Sequence, residues 1–308
     1  MADRPARKRP RPHRAQVVRT DRLTPHMVRV VLGGDGLAEF SAGEWTDHYV
    51  KLLFPAEGVA YPEPFDLERI REELPREQWP VTRTYTVRAW DPAARELTID
   101  FVVHGDEGLA GPWAAHARPG QEIYFQGPGG AYAPHEDADW HLLAGDESAL
   151  PAIAAALERL AHRPQGADRP VVRAFIEVEG PAEEHKLAVP DGVEVVWLHR
   201  GAAPVGDALV AAVRGLDFPA GQVHAFVHGE AGFVKEIRRY LRLEREVPRE
   251  WLSISGYWRR GHNEDGWQAS KREWNQQVEA EQRRPRRRPR RALHRQDTRA
   301  YGGRVDGN

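Results

Sequence analysis

Arg83-Thr84-Tyr85-Thr86-Val87-Arg88 places a guanidinium, a phenol ring and two hydroxyls close together on a stretch that reads as a strand. Alternate side chains of a strand share a face, so Arg83 and Tyr85 point one way and Thr84 and Thr86 the other. A fixed cation beside an aromatic plate suits a planar ligand that carries phosphate. The guanidinium can grip a diphosphate through two parallel hydrogen bonds while the ring packs on a heterocycle and the hydroxyls bond its polar edge. A plain cross-strand pair on an exposed antiparallel sheet can also carry Arg and Tyr, so this stretch does not settle the matter alone.

Four glycine-marked stretches extend the pattern. In His104-Gly105-Asp106-Glu107-Gly108-Leu109-Ala110-Gly111-Pro112-Trp113-Ala114, small residues precede a helix start at Pro112, which turns backbone N–H groups and a positive dipole end toward an anion. Gly127-Pro128-Gly129-Gly130-Ala131-Tyr132 reads as a tight turn with a ring available beside a ligand. In Ala144-Gly145-Asp146-Glu147-Ser148-Ala149 a strand gives way to a helix capped by Ser148, the place where open α/β sheets hold nucleotides, although a full G-x-G-x-x-G is missing. Ser255-Gly256-Tyr257-Trp258-Arg259-Arg260-Gly261 precedes a polar helix over 264–281 that carries Trp267, Lys271 and Trp274. Such rings and cations can cover a planar ligand and draw an anionic substrate, or anchor the last helix.

The elements that must position these residues fall into two kinds. From Ala15 to Gln126, short alternating runs separated by Gly and Pro turns predict an antiparallel β-barrel, with strands at 15–20, 27–32, 49–54, 83–88, 96–104 and 122–126. Residues 58–80 form an insertion rich in Pro and Glu, whose Leu67, Ile70 and Leu74 recur at helical spacing. Past Gly130, strands at 140–145, 171–178, 193–198 and 224–229 alternate with helices at 148–160, 206–213 and 230–244, which predicts a doubly wound parallel sheet. The reading is therefore a free, disordered basic arm over 1–14, a barrel over 15–134, an α/β domain over 139–282 and a disordered Arg-rich tail over 283–308.

Composition sets limits on the chemistry. The 308 residues contain 41% apolar side chains and 10 Trp, enough for two packed cores. Zero Cys excludes disulfides, thiolate nucleophiles and Cys-ligated clusters, so redox chemistry needs a bound organic cofactor. No apolar run approaches the roughly 20 residues of a membrane span, and the basic, proline-rich N-terminus is unlike a signal peptide, so a cytoplasmic location is expected. The net charge of −2 hides a segregation: residues 15–282 hold 28 basic and 43 acidic side chains, and the excess of arginine lies in the two tails. The run Arg283 to Arg291 is expected to be disordered, and without aromatic interleaving nucleic acid is not an expected partner.

Together these stretches resemble one family, the FAD-dependent siderophore-interacting proteins, which are ferric-siderophore reductases of the ferredoxin–NADP reductase superfamily. The resemblance covers about residues 15–282, through 83–86, 100–105, 110–114, 127–132, 145–151, 228–230 and 256–259, in that order. It implies a ferredoxin–NADP reductase-like architecture: a FAD-binding barrel followed by a nucleotide-binding-like α/β domain. It also implies that Arg83, Thr84, Tyr85 and Thr86 bind FAD at its diphosphate, ring and ring edge, with Asp100, Val102 and His104 near the flavin. Gly111, Pro112, Trp113 and Ala114 would hold phosphate. Asp146, Glu147, Ser148, Gly229 and Glu230 would serve the nicotinamide nucleotide, and Tyr257 and Trp258 would cover the ring.

The expected chemistry follows. Iron(III) accepts one electron and a nicotinamide gives up two, so a flavin must stand between them. Hard oxygen donors hold iron(II) far less well, which makes reduction the release step. No metal ligands are then needed, and the 14 His show no ligand-like spacing. Candidate catalytic residues are Tyr85 at the ring and Arg259, Arg260 and Lys271 as attractors of an anionic ferric siderophore. The donor is NADH or NADPH, with ferredoxin as a further possible partner. The rival readings are a general flavin or ferredoxin–NADP reductase and a non-catalytic siderophore-binding flavoprotein.

Overall fold

The computed structural model describes residues 11–105, 108–162 and 171–282. The arginine tail and residues 1–10 of the basic arm lie outside the described residues. Seven antiparallel strands make the first half: β1 (His13–Thr24), β2 (Met27–Gly33), β3 (Tyr49–Phe54), β4 (Val81–Thr86), β5 (Ala89–Asp91), β6 (Glu96–Val102) and β7 (Glu122–Gly129). β1 begins inside the stretch read as a free arm, because His13 packs against Phe40 and Phe125 and Arg14 pairs with Glu122.

The sheet runs β4-β3-β7-β1-β2-β6-β5, so β4 and β5 occupy opposite edges. Only Val87 and Arg88 separate them in the chain, which brings the two edges together. Val87 donates its N–H to His48 O at 2.6 Å, and Arg88 donates to Thr98 O of β6 at 2.8 Å. The sheet is a barrel closed by its own strand. Leu32, Val50, Leu52, Leu97, Ile99, Phe101 and Phe125 fill it. The next residue of β3, Leu53, faces outward, and the 58–80 insertion covers it: α1 (Leu67–Glu73) brings Leu67 and Ile70 onto Leu53, while Phe65 stacks on Tyr124 of β7 at 4.2 Å. A second short helix, α2 (Ala110–His116), starts two residues before the expected Pro112.

The second half is a five-stranded parallel sheet in the order β10-β9-β8-β11-β12. Its strands are β8 (Trp140–Gly145), β9 (Val171–Val178), β10 (Val195–His199), β11 (Val223–Glu230) and β12 (Leu252–Trp258). Every residue of β8 and β11 is buried, as a sheet covered on both faces requires. α3 (Leu150–Ala161) packs one face through Ile153 and Leu157, together with Met27 and Tyr132 from the first half. α4 (Asp207–Gly215) and α5 (Ala231–Arg239) cover the other through Leu209, Val213, Phe233 and Ile237. α5 passes into a π turn at Tyr240–Glu244, and α6 (Glu264–Glu281) closes the described chain with Trp267 buried. Among the described residues, no helix is long and apolar enough to cross a membrane.

Candidate functional site

β4 carries its predicted residues on the predicted faces. The Tyr85 ring packs on Phe101 at 4.4 Å, and Phe101 leans on Trp113, so the phenol is a braced plate. Burial, followed by the charge of Glu264, pushes its hydroxyl well above the ordinary tyrosine range, and it stays protonated. Arg83 reaches the first turn of α6, where Nη1 and Nη2 donate to Asp265 at 3.1 and 3.2 Å and Nε lies 3.6 Å from Glu264. The Thr84 N–H donates to Glu264 Oε1 at 3.0 Å. The first turn of α6 thus meets β4 at Arg83 and Thr84.

Not all of the resembled residues face this spot. Asp100 is buried and accepts from Arg29 Nε and Nη2 at 2.7 and 2.8 Å, a cross-strand partner in register on β2, with Arg88 3.9 Å away. Its carboxylate is committed to that ion pair. Val102 packs toward the α3 face of the parallel sheet. Trp113 and Ala114 belong to the barrel core, and Gly111 is small because a Cβ would stand 3.3 Å from Val102 O. Leu109, ahead of α2, offers no side-chain cap, and Pro112 has no N–H to offer.

The parallel sheet builds a second centre at the carboxyl ends of β8 and β11. Strand order reverses between them, and such a switch point opens a crevice where α/β sheets bind ligands. Asp146 lies there, fully buried. Its Oδ1 accepts from the Ser148 N–H at 2.9 Å and the Ser148 hydroxyl at 2.5 Å; its Oδ2 accepts from the Glu230 N–H and Trp258 Nε1, both at 2.8 Å. All four acceptor positions of a carboxylate are therefore filled. Burial pushes the Asp146 carboxyl up, against the pull of these bonds. Gly229 permits the approach: it sits at φ +137, and a Cβ would lie 2.6 Å from Asp146 Oδ2. Ser148, expected as the helix cap, serves Asp146 instead, and α3 begins after Ala149.

Glu147 binds Arg200 Nη1 at 2.6 Å, and burial, then the charge of Asp146, raises its carboxyl. Glu230 caps α5, accepting from Gly232 and Phe233, and also accepts from the Arg260 N–H at 3.3 Å. Glu177, fully buried on β9, accepts from Gly206 and Leu209 at the start of α4. Arg200 and Glu177 escaped the sequence reading. Their signal was position, since both lie at carboxyl ends of parallel strands.

Three ties join the two centres. Tyr257, near the end of β12, lies beside Thr86 and packs on His228 at 4.8 Å, and burial raises its hydroxyl far above the ordinary range. Glu183 accepts from Thr24 Oγ1 at 2.6 Å and from the His26 N–H at 3.2 Å, and its Oε1 meets His26 Nδ1 at 2.7 Å. With Glu179 these make a group of three whose ligand atoms lie within 4.8 Å of one another, close enough to hold a metal ion and unforeseen from sequence spacing. Arg88 bridges to Glu158 of α3. His104 stands at this junction: burial, then His26 and Arg200, holds its imidazole below the usual range. Lys271 of α6 is also lowered by burial, and its charge helps keep His228 neutral. Arg259 follows Trp258 directly and is half-buried, while exposed Arg260 extends to Val205 O at 3.5 Å.

Residues 16–132 match the siderophore-interacting FAD-binding domain, and residues 138–261 match the siderophore-interacting protein family. An uncharacterised protein of Mycobacterium tuberculosis is 50% identical over 89% of this chain and 97% of its own. A ferric vibriobactin reductase of Vibrio cholerae is 34% identical over 83% and 92%, and an NADPH-dependent ferric-chelate reductase of Escherichia coli is 33% identical over 79% and 91%. Among solved structures, a siderophore utilization protein from T. fusca superposes with a TM-score of 0.69 at 39% identity, covering 82% of this chain and 94% of its own. A ferredoxin–NADP reductase of Plasmodium falciparum shares the fold at 12% identity, with a TM-score of 0.56 over 80% and 96%. With both halves matched in order, the chain belongs to the siderophore-interacting protein family, on a ferredoxin–NADP reductase-like fold.

Proposed function

We propose that this protein is an FAD-dependent ferric-siderophore reductase, drawing electrons from NADH or NADPH and releasing iron as iron(II). The observation that carries this reading is the segment from Trp258 to Asp265, which is bound to Asp146 at one end and to Arg83 and Thr84 at the other and so joins the aromatic and cationic face of β4 to the switch-point crevice. A ring lying on β4 would be open to a donor on the parallel-sheet side and to a chelate at the outer edge.

The residues fit FAD. Arg83 would hold the diphosphate; its present partner Asp265 is 67% exposed, and such exposed pairs contribute only about 0–1 kcal/mol, so exchange for a diphosphate is cheap. Tyr85, braced by Phe101, would support the ring, and Thr84 would meet its polar edge. Flavin, when bound, takes electrons in pairs and yields them singly. Asp146 positions the cover: by fixing Trp258 it sets the neighbouring Tyr257 at Thr86. Buried His228, and His104 held low beside His26 and Arg200, remain neutral at physiological pH and leave cationic attraction to Lys271, Arg259 and Arg260.

Stopped-flow spectroscopy of FAD-loaded protein tests the reading. NADH or NADPH should bleach the flavin and a ferric siderophore should restore its colour with iron(II) appearing. Bleaching without recovery by any ferric chelate would favour a general flavin reductase. No bleaching by either nucleotide, with recovery after chemical reduction, would favour a ferredoxin donor.

A further inference from the structure

Two carboxylates and an imidazole converge where the barrel meets the parallel sheet. His26 sits in the turn between β1 and β2, Glu179 directly follows β9, and Glu183 ends the short turn Pro181–Glu183 after it. His26 Nδ1 lies 2.7 Å from Glu183 Oε1 and 3.3 Å from Glu179 Oε2, and the three ligand atoms fall within 4.8 Å of one another. At the roughly 2.0–2.2 Å bond lengths of imidazole and carboxylate ligands, neighbouring ligand atoms on one ion stand about 3–3.5 Å apart. The group is therefore within a small side-chain adjustment of closing on a metal.

The backbone around it is already tied down. Val103 N–H donates to His26 O and Gly201 N–H to Glu179 O, both at 2.9 Å, and Glu183 N–H donates to Gly180 O at 3.0 Å. On Glu183, Oε2 is taken by the Thr24 hydroxyl and the His26 N–H, which leaves Oε1 aimed at the imidazole. Burial pushes this carboxyl up, but the bonds from Thr24 and His26 outweigh it and hold the group below the usual range, so it is charged. Positive charge is short here, because the Arg200 guanidinium is bound to Glu147 and one imidazole stands between two carboxylates. Even with His26 protonated the group stays negative. A second imidazole stands by: the His104 ring lies 6.4 Å from that of His26, is kept neutral first by burial, and makes no side-chain hydrogen bond among the described residues.

One nitrogen and two hard oxygens suit a divalent transition ion; the set lacks the sulfur that selects copper(I), and its imidazole disfavours magnesium and calcium. Three protein ligands leave coordination positions open, and the His26 and Glu179 side chains are 40% and 57% exposed, so an ion can exchange with solvent. We propose that His26, Glu179 and Glu183 form an exchangeable site for a divalent transition-metal ion, which ties the β1–β2 turn of the barrel to the carboxyl end of β9. The site goes beyond the reductase reading and does not depend on it; the iron(II) that such a reductase would release is an ion of this class.

The test is calorimetric titration of the untagged full chain, stripped by a chelator, with Zn2+, Mn2+ and Mg2+, none of which needs the protein to carry out reduction. Zn2+ should bind about tenfold or more tightly than Mn2+, and Mg2+ should not compete. Glu179→Gln and His26→Asn should each weaken Zn2+ by about tenfold or more, and the double variant should lose the site. Glu184→Gln removes an equal charge next door, from a carboxylate already bonded to His199 at 2.7 Å, and should change little. Zn2+ should also raise the unfolding temperature of the unsubstituted protein, by mass action, and not that of the double variant. Variants that unfold cooperatively without metal yet fail to take Zn2+ show lost ligands rather than a lost fold. Unaltered Zn2+ affinity in Glu179→Gln and His26→Asn, or an equal loss in Glu184→Gln, overturns the site. Absence of any dication binding below millimolar concentration overturns it too, and leaves His26 as a plain hydrogen-bond partner of Glu183.

Discussion

Replacing Arg83 by alanine deletes both the contact with Asp265 and the guanidinium offered to a diphosphate. Arg83→Ala should weaken FAD binding by roughly 1.5–3 kcal/mol, the cost of a lost charge-assisted hydrogen bond. Asp265→Asn should do the opposite, tightening FAD by up to about fivefold, since it frees Arg83 from an exposed pair. Fluorescence titration of the apoprotein measures both, and a parallel loss in the two variants would mean that Arg83 serves only to hold α6. At this scale the sequence showed side-chain types and strand faces but not commitments. Asp146 reads as a nucleotide contact in its Gly-Asp-Glu-Ser context, yet two of its four donors come from residues 84 and 112 positions away. Asp100 is the same kind of case, because its partner Arg29 lies 71 positions distant on β2.

The helices and strands were most legible where burial is complete on both faces. β8 and β11 stand out as mostly apolar runs broken only by His141, His224, His228 and the terminal Glu230, whereas β5, three residues long, has too little pattern to detect. α1 was foreseen from Leu67, Ile70 and Leu74, but its purpose as a cover for Leu53 required the barrel to be in place. The start of α4 is a second feature only the fold reveals. Gly206 and Leu209 are capped by Glu177 from another strand, so no local cap motif exists. Glu177→Ala should lower stability by about 1–2 kcal/mol, as loss of a helix cap does. Urea unfolding followed by circular dichroism measures this, and an unchanged midpoint would mean that water satisfies those amides.

Across the whole molecule, acid acts on two buried histidines. Burial, and then the charge of His135, lowers His224 to about 4; burial, and then Lys271, lowers His228 to about 3. In the unfolded chain each protonates near its ordinary value of about 6.5. Below that pH protons stabilise only the unfolded state, so each histidine removes stability as pH falls from about 6.5 toward its folded value, by up to about 1.4 kcal/mol per pH unit. Asp146, Glu147 and Glu177, raised by burial, work in the other direction, so the comparison must isolate one imidazole. The stability difference between the unsubstituted protein and His228→Asn should shrink between pH 6.5 and 4; a constant difference in thermal unfolding would show that His228 is charged in the fold.

The barrel closes on Val87 and Arg88, the two residues that follow Arg83 to Thr86 without a break. The floor of the proposed flavin site and the seam of the barrel are consequently one length of backbone. Opening the seam would tilt Tyr85 away from its brace, so fluctuations that loosen the barrel would also loosen the grip on a bound ring. Amide hydrogen exchange at Val87 and Arg88 should therefore rise and fall with the rate at which the cofactor escapes, which makes these two N–H groups a built-in gauge of how long the protein stays loaded.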